Sequence, residues 1–180
     1  MSLMVSPESL RRFEFFASLD EKVLRELAMV GETLEIPAQQ VMFSEGEVAN
    51  GLYILQRGSV VILVSAGGPS MREFGIPKLT RGEIFGWSSL VEPYRYHLSA
   101  RTMTPCQLVR FDGTAVCEIM THHPHFGYIM MTRVAQIIGE RLVNLRRQLV
   151  SLVEGERFEL LVGKDPYYLF DGGRSVPLEG

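Results

Sequence analysis

The spacing of apolar positions changes twice along this 180-residue chain. Residues 6–31 carry a helical period: Val23, Leu24 and Leu27 follow Ser18-x-x-Glu21, which has the form of a capping box. Gly31 stands where such a helix would end. From Glu32 to Phe111 the apolar residues come in short runs: Val41-Met42-Phe43, Leu52-Tyr53-Ile54-Leu55, Val60 to Val64, and Leu108 to Phe111. Turn-forming residues separate them, at Glu45-Gly46-Glu47, Gln56-Arg57-Gly58, Ala66-Gly67-Gly68-Pro69, Arg81-Gly82-Glu83 and Asp112-Gly113. Short strands at regular spacing predict a β-sandwich or barrel. From Thr114 the helical period returns, first as a short helix to Thr121, then as a long one that Pro124 can open and that runs to Val153.

The long helix carries two stripes. Met131, Ala135, Ile138, Leu142, Leu145, Leu149 and Leu152 are spaced alternately four and three apart, the heptad seam of a helix that pairs with another. Met130, Val134 and Ile137 form a neighbouring stripe suited to packing on the strands. Core packing within the chain could account for the seam, but it runs on to Leu152 after the inner stripe ends at Ile137. A homodimer through residues 131–152 is therefore expected. Gly139 inside this helix costs about 1 kcal/mol against Ala, which predicts close backbone approach there.

Composition limits the possibilities. At 180 residues and 46% hydrophobic content, the chain has material for one core plus an appendage. A net charge of -3, with both signs interspersed, gives no field to attract nucleic acid. Two cysteines without a C-x-x-C, no membrane-length apolar run and no secretion signal in Met1 to Arg12 point to a cytoplasmic protein. Met1-Ser2-Leu3 and Glu179-Gly180 read as additions left by expression. In the tail, residues 154–180, Phe158–Val162 and Tyr167–Phe170 could be strands or packed coil, and Asp171–Ser175 reads as flexible.

Glu45-Gly46-Glu47, four residues, then Leu52-Tyr53-Ile54-Leu55-x-x-Gly58-x-Val60, together with Gly82-Glu83-x-Phe85-Gly86, is a specific pattern, because each glycine marks a tight turn between strands. It resembles the signature of cyclic-nucleotide-binding domains of the catabolite activator and protein kinase A regulatory subunit type, and the resemblance covers about residues 8–153. It implies an α+β fold: an antiparallel β-roll, a jelly-roll-like barrel, with an N-terminal helical segment and a long C-terminal dimerisation helix. It also implies a phosphate-binding cassette beginning near Phe85-Gly86. There, backbone N–H groups and an Arg hold the cyclic phosphate, a Glu after Phe-Gly holds the ribose, and the long helix meets the purine.

Both polar anchors of that cassette are replaced. Trp87 stands at the ribose Glu position, and Tyr96 at the phosphate Arg position when Ala100-Arg101 is aligned with the family's Val-Arg. Arg95 falls one residue early, and His97 falls where a small residue is usual. Losing two charge-assisted hydrogen bonds costs about 3–6 kcal/mol, roughly 100- to 10,000-fold in affinity. Three outcomes stay open. Arg95, Tyr96 or His97 substitutes for the anchors; the pocket takes another flat ligand on Trp87, Tyr94 and Tyr96; or the aromatics fill it. The candidate ligand residues are Phe85, Gly86, Trp87, Ser88, Ser89, Arg95, Tyr96, His97 and Arg141. The last continues the strand-facing stripe one turn beyond Ile137, where it could stack on a base, pair with an anion or simply face solvent.

Other signals weigh less. His122-His123-x-His125 reads as an exposed helix junction rather than a metal cluster, and no strand pattern of histidines with a carboxylate supports a metalloenzyme. No G-x-S-x-G, H-E-x-x-H or P-loop motif occurs, so no enzyme is expected. Arg133, Arg141, Arg146 and Arg147 read as helix flanks. The expected function is regulatory: a cytoplasmic, homodimeric domain that binds a cyclic nucleotide (cAMP or cGMP) or a related effector and signals through its last helix, with no other cofactor, no metal, no membrane and no specific DNA binding. The alternatives are the sensor half of a transcription regulator without its DNA-binding part, or a dimerisation module with a vestigial pocket.

Overall fold

The run Leu52-Tyr53-Ile54-Leu55 has no polar position, which a sheet wetted on one face would not tolerate. The structure, a computed structural model, gives the reason. Leu52 and Ile54 turn toward a core shared with the helices, while Tyr53 and Leu55 turn toward a second core between two sheets. The adjacent strand divides in the same way, with Val109 and Phe111 on the helix side and Cys106 and Leu108 on the sheet side. Both faces of this sheet are covered, so alternation gives way to a continuous apolar run.

The structure describes residues 5–66 and 72–153, and in the tail 161–162, 165–166, 168–171 and 174–177. In order these form α1 (Pro7–Arg11), α2 (Glu21–Val30), β1 (Gly31–Ile36), β2 (Val41–Phe43), β3 (Gly51–Arg57), β4 (Val60–Ala66), β5 (Arg72–Leu79) and β6 (Ile84–Phe85). A single 3-10 helix, η1 (Trp87–Leu90), precedes β7 (Ser99–Thr102), β8 (Cys106–Asp112), α3 (Gly113–His122) and α4 (Pro124–Val153). The tail adds β9 (Leu161–Val162), β10 (Asp165–Pro166), β11 (Tyr168–Asp171) and β12 (Arg174–Pro177). One sheet has the order β1-β8-β3-β6, a second β12-β11-β5-β4-β7-β2, and β9 pairs with β10. The class is α+β with antiparallel sheets between helices, as expected. Among the described residues, however, the hydrogen bonds make two facing sheets and do not close into one barrel.

Several local expectations are corrected. The helical pattern over residues 6–31 resolves into two helices joined by turns, and Phe13, Phe15, Phe16 and Leu19 of the joining segment are all buried. Ser18 does not cap α2. Asp20 holds the cap position without a side-chain bond, and the serine that does cap is Ser6, whose Oγ accepts from the Ser9 N–H at 3.1 Å. Gly31 adopts extended backbone, since β1 starts there directly. Asp112 is more than a turn residue: its carboxylate caps α3 by accepting from the Ala115 N–H at 3.0 Å. Asp171 and Ser175, expected in a flexible stretch, pair with Arg174 and Phe170 respectively between β11 and β12.

Helix α4 has the predicted bounds. Phe126, Met130 and Val134 are buried against the rest of the molecule, and Met131, Ile138 and Leu142 of the seam are exposed. A Cβ at Gly139 would meet nothing within 4 Å among the described residues, so no close approach there requires that glycine. The side chains of Leu145, Leu149 and Leu152, the Gly67–Pro69 turn, Phe158–Leu160, Tyr167, and residues 1–3 and 179–180 lie outside the described residues.

Candidate functional site

Strand β6 delivers Phe85 into the core between the sheets, and the chain must then turn sharply. Gly86 makes the turn in the left-handed region, at φ 75°. A Cβ there would lie 2.6 Å from the Gly51 carbonyl oxygen, so both conformation and space demand glycine. Gly46, Gly58 and Gly82 of the quoted motif also have positive φ. Helix η1 follows, tied by the Ser89 N–H and Oγ–H, which both donate to the Gly86 carbonyl at 3.0 and 2.9 Å.

Next to this turn lies a cavity of about 30 Å³, lined by Phe43, Ile62, Phe85, Gly86, Trp87, Ser88, Tyr96, His97, Leu98 and Arg141. Seven of the nine sequence-selected residues are thus brought together: Phe85, Gly86, Trp87, Ser88, Tyr96, His97 and Arg141. Two are not. Ser89 faces α3, where a Cβ on Gly113 would come within 2.7 Å of its own Cβ. Arg95 is exposed and turned away, its Nη1 donating to the Gly46 carbonyl at 2.7 Å. Tyr94, suggested as part of a flat-ligand surface, is 42% exposed and does not line the cavity. Phe43, Ile62 and Leu98 were missed. Each belongs to an apolar run or lies beside one, but only strand register, a long-range property, shows that they meet at one place.

Tyr96 is built into the fold rather than presented to a ligand. Its ring stacks on Phe43 with centroids 3.7 Å apart. Its hydroxyl donates to the Gly51 carbonyl at 3.2 Å and accepts from the Gly51 N–H at 3.1 Å. Burial, with the Tyr53 hydroxyl beside it, pushes the phenol's pKa well up, so it stays neutral. Trp87 stacks on His97 at 5.8 Å, and Ser88 Oγ meets His97 Nδ1 at 3.1 Å. Among the described residues, every buried side-chain nitrogen or oxygen has a partner.

The remaining wall comes from α4. Arg141 is half-buried there, and burial lowers its pKa, with the Glu83 carboxylate acting in the opposite direction. That carboxylate is already engaged, accepting from the Thr80 N–H at 2.5 Å and Oγ1–H at 2.8 Å. Nearer its start, α4 is pinned by Arg133, whose Nη1 donates to the Glu14 carbonyl at 3.0 Å and whose guanidinium lies 5.0 Å from the centroid of the Phe15 ring.

The histidine junction between α3 and α4 is exposed at His122, Pro124 and His125, as expected, while His123 is partly buried. His123 Nε2 lies 3.1 and 3.0 Å from the two Glu26 carboxylate oxygens and so ties the α3–α4 joint to α2. Among the described residues no group of three or more His, Cys, Asp or Glu could hold a metal, and no helix is long and apolar enough to cross a membrane. A larger open cleft, of about 810 Å³, lies between Glu35–Pro37, Arg57-Gly58 and Thr104–Gln107, apart from the cassette.

The family model for the cyclic nucleotide-binding domain matches residues 33–123. A solved structure from Geobacter metallireducens GS-15, named for cyclic nucleotide binding, is 34% identical with a TM-score of 0.68, over 77% of this chain and 99% of that one. A CRP-like cAMP-activated global transcriptional regulator of Mycobacterium tuberculosis is 24% identical over 146 residues, 81% of this chain and 62% of the regulator. A voltage-gated inwardly rectifying potassium channel of Mus musculus is 25% identical over 153 residues, 84% of this chain but 12% of the channel. The chain thus spans less than two thirds of these two curated relatives. With its β-roll, its glycine turns and its match over half the sequence, the chain belongs to the cyclic nucleotide-binding domain family.

Proposed function

We propose that this domain is a regulatory sensor, not an enzyme, whose effector enters the cavity beside Gly86 and acts by displacing α4. The observation that carries the reading is that Arg141, a residue of α4, forms one wall of that cavity. A cavity of about 30 Å³ is far smaller than the roughly 300–1,000 Å³ of a usual small-molecule pocket, so a nucleotide-sized ligand must push a wall back. Tyr96 and Phe43 are core residues and cannot yield cheaply, whereas Leu142 and Val143 beside Arg141 are exposed. A ligand that binds the displaced helix better than the closed one shifts the population between them. The exposed seam of Met131, Ile138 and Leu142 suits pairing with a second copy, which would carry the displacement across a homodimer. A soluble domain in the cytoplasm fits this role, with the effector as its only small-molecule partner.

The family's own ligands, cAMP and cGMP, are the first effectors to test. Phe85, Gly86, Trp87, Ser88, His97 and Arg141 are the residues we assign to binding, with Tyr96 as part of the fixed wall behind them. Thermal unfolding of the chain with each nucleotide checks this, because a ligand at about 100 times its Kd adds about 2.7 kcal/mol. A complete lack of response to nucleotides and other small molecules alike would sink the sensor reading. It would leave the second reading, a dimerisation module whose pocket Tyr96 has filled, which the size of the cavity favours.

A further inference from the structure

The cavity's charge sits on the wrong wall for a cyclic nucleotide. The family resemblance places the cyclic phosphate on the cassette and the flat base toward α4. Here the cassette side offers Phe85, Trp87 and a neutral Tyr96 whose hydroxyl is already occupied by Gly51. Arg95, the cation expected to substitute in the cassette, bonds the Gly46 carbonyl and does not line the cavity. Of the lining residues only Arg141 carries a fixed charge, and it comes from the helix. A phosphate placed at the cassette would be a buried anion without a cationic partner, a costly arrangement. A flat apolar group placed there would meet Trp87 and Phe85, and an anionic group on its other end would meet a guanidinium whose fork matches a carboxylate. Ser88 Oγ and His97, bonded to each other, the Trp87 indole N–H and the Tyr96 hydroxyl supply the other polar atoms of the lining side chains.

We propose that the effector is a small planar aromatic carboxylate, bound with its ring against Trp87 and its carboxylate on Arg141. This rests on the sensor reading above and adds to it the chemical class and the orientation of the ligand. It also makes the contact that recognises the ligand the contact that reports it, since Arg141 is part of the arm that moves.

The test is titration of the full chain with indole-3-carboxylate and salicylate, with their neutral counterparts indole and phenol, and with cAMP and cGMP, followed by calorimetry. The carboxylates are expected to bind at least about 10-fold more tightly than the neutral rings. Arg141→Gln should weaken the carboxylates by about 10- to 100-fold and leave the neutral rings unchanged. Arg141→Lys should restore part of the loss, which separates charge pairing from misfolding. Binding of cAMP or cGMP more tightly than any carboxylate, insensitive to Arg141→Gln, would overturn this proposal and leave the sensor reading standing. Equal binding of neutral and charged rings would overturn it as well. No binding by any compound would overturn both.

Discussion

The two walls of the cavity differ in almost every physical respect. The cassette wall is aromatic and stitched to the sheets: Tyr96 is 4% exposed, stacked on Phe43 and bonded to both backbone groups of Gly51. The helix wall is a single cation on an arm whose neighbouring residues, Leu142 and Val143, face outward. Rigid and yielding parts are therefore separated across a few ångströms. Elements that move in a response must come from the weakly packed end of the stability range, and residues 138–144 of α4, mostly exposed, meet that condition. Substitutions on the two walls should accordingly have unlike consequences.

The largest effect is expected at Tyr96. Tyr96→Ala removes a stacked ring from the core and strands the Gly51 amide and carbonyl, for a loss of about 3–5 kcal/mol in denaturant unfolding. A loss under about 1 kcal/mol would mean that this wall is not fixed. Tyr96→Phe keeps the ring and isolates the hydroxyl, at about 1–2 kcal/mol. The same variant reads out pH. Burial raises the folded-state pKa of the phenol above the unfolded value of about 10. The contribution is then full below pH 10 and declines as pH rises, because the unfolded chain gives up the proton first. Between about pH 10 and 11, Tyr96→Phe should lose stability less steeply than the wild type, as followed by chemical denaturation.

The next effect lies within α4 itself. Met130 is fully buried in the anchored half, so Met130→Ala should cost about 2–5 kcal/mol. This half of the helix was legible from the sequence, because the stripe Met130, Val134, Ile137 has a local period that needs no knowledge of what covers it. The β-roll was legible for a similar reason: glycine turns between apolar runs are local signals. The cassette was harder. The replacements at Trp87 and Tyr96 could be read, but not that the Tyr96 hydroxyl would close on Gly51, 45 residues away, or that Arg95 would swing to Gly46. Those outcomes depend on register between distant strands and on which hydrogen bonds win in the folded core. Among the strands outside the predicted runs, β1, β5 and β7 carry polar or glycine positions that break the apolar run, and their partners rather than their own composition hold them in place.

A smaller effect marks where the anchored half is latched. Arg133→Ala removes one hydrogen bond to the Glu14 carbonyl and a cation-π contact with Phe15, together about 1 kcal/mol. If α4 pivots as a lever about this end, the loss should also loosen the arm. Hydrogen exchange along residues 138–144 would then quicken in Arg133→Ala while that of the sheets stays unchanged.

The smallest effect on stability, and the sharpest contrast with Tyr96, is expected at Arg141. The guanidinium is half-buried, burial lowers its pKa, and the Glu83 carboxylate that acts against this is already bonded to Thr80. Arg141→Ala gives up some packing of the side-chain stem and recovers the desolvation of a charge, two terms of opposite sign. The net change should be within about 0.5 kcal/mol in the unliganded chain. A large destabilisation would mean that Arg141 is a structural brace, that the helix wall is as fixed as the cassette wall, and that α4 cannot be the part a ligand moves. A near-zero change, set against the several kcal/mol at Tyr96, would show that the fold does not depend on the one charge it places in the cavity, which leaves that charge free to serve recognition.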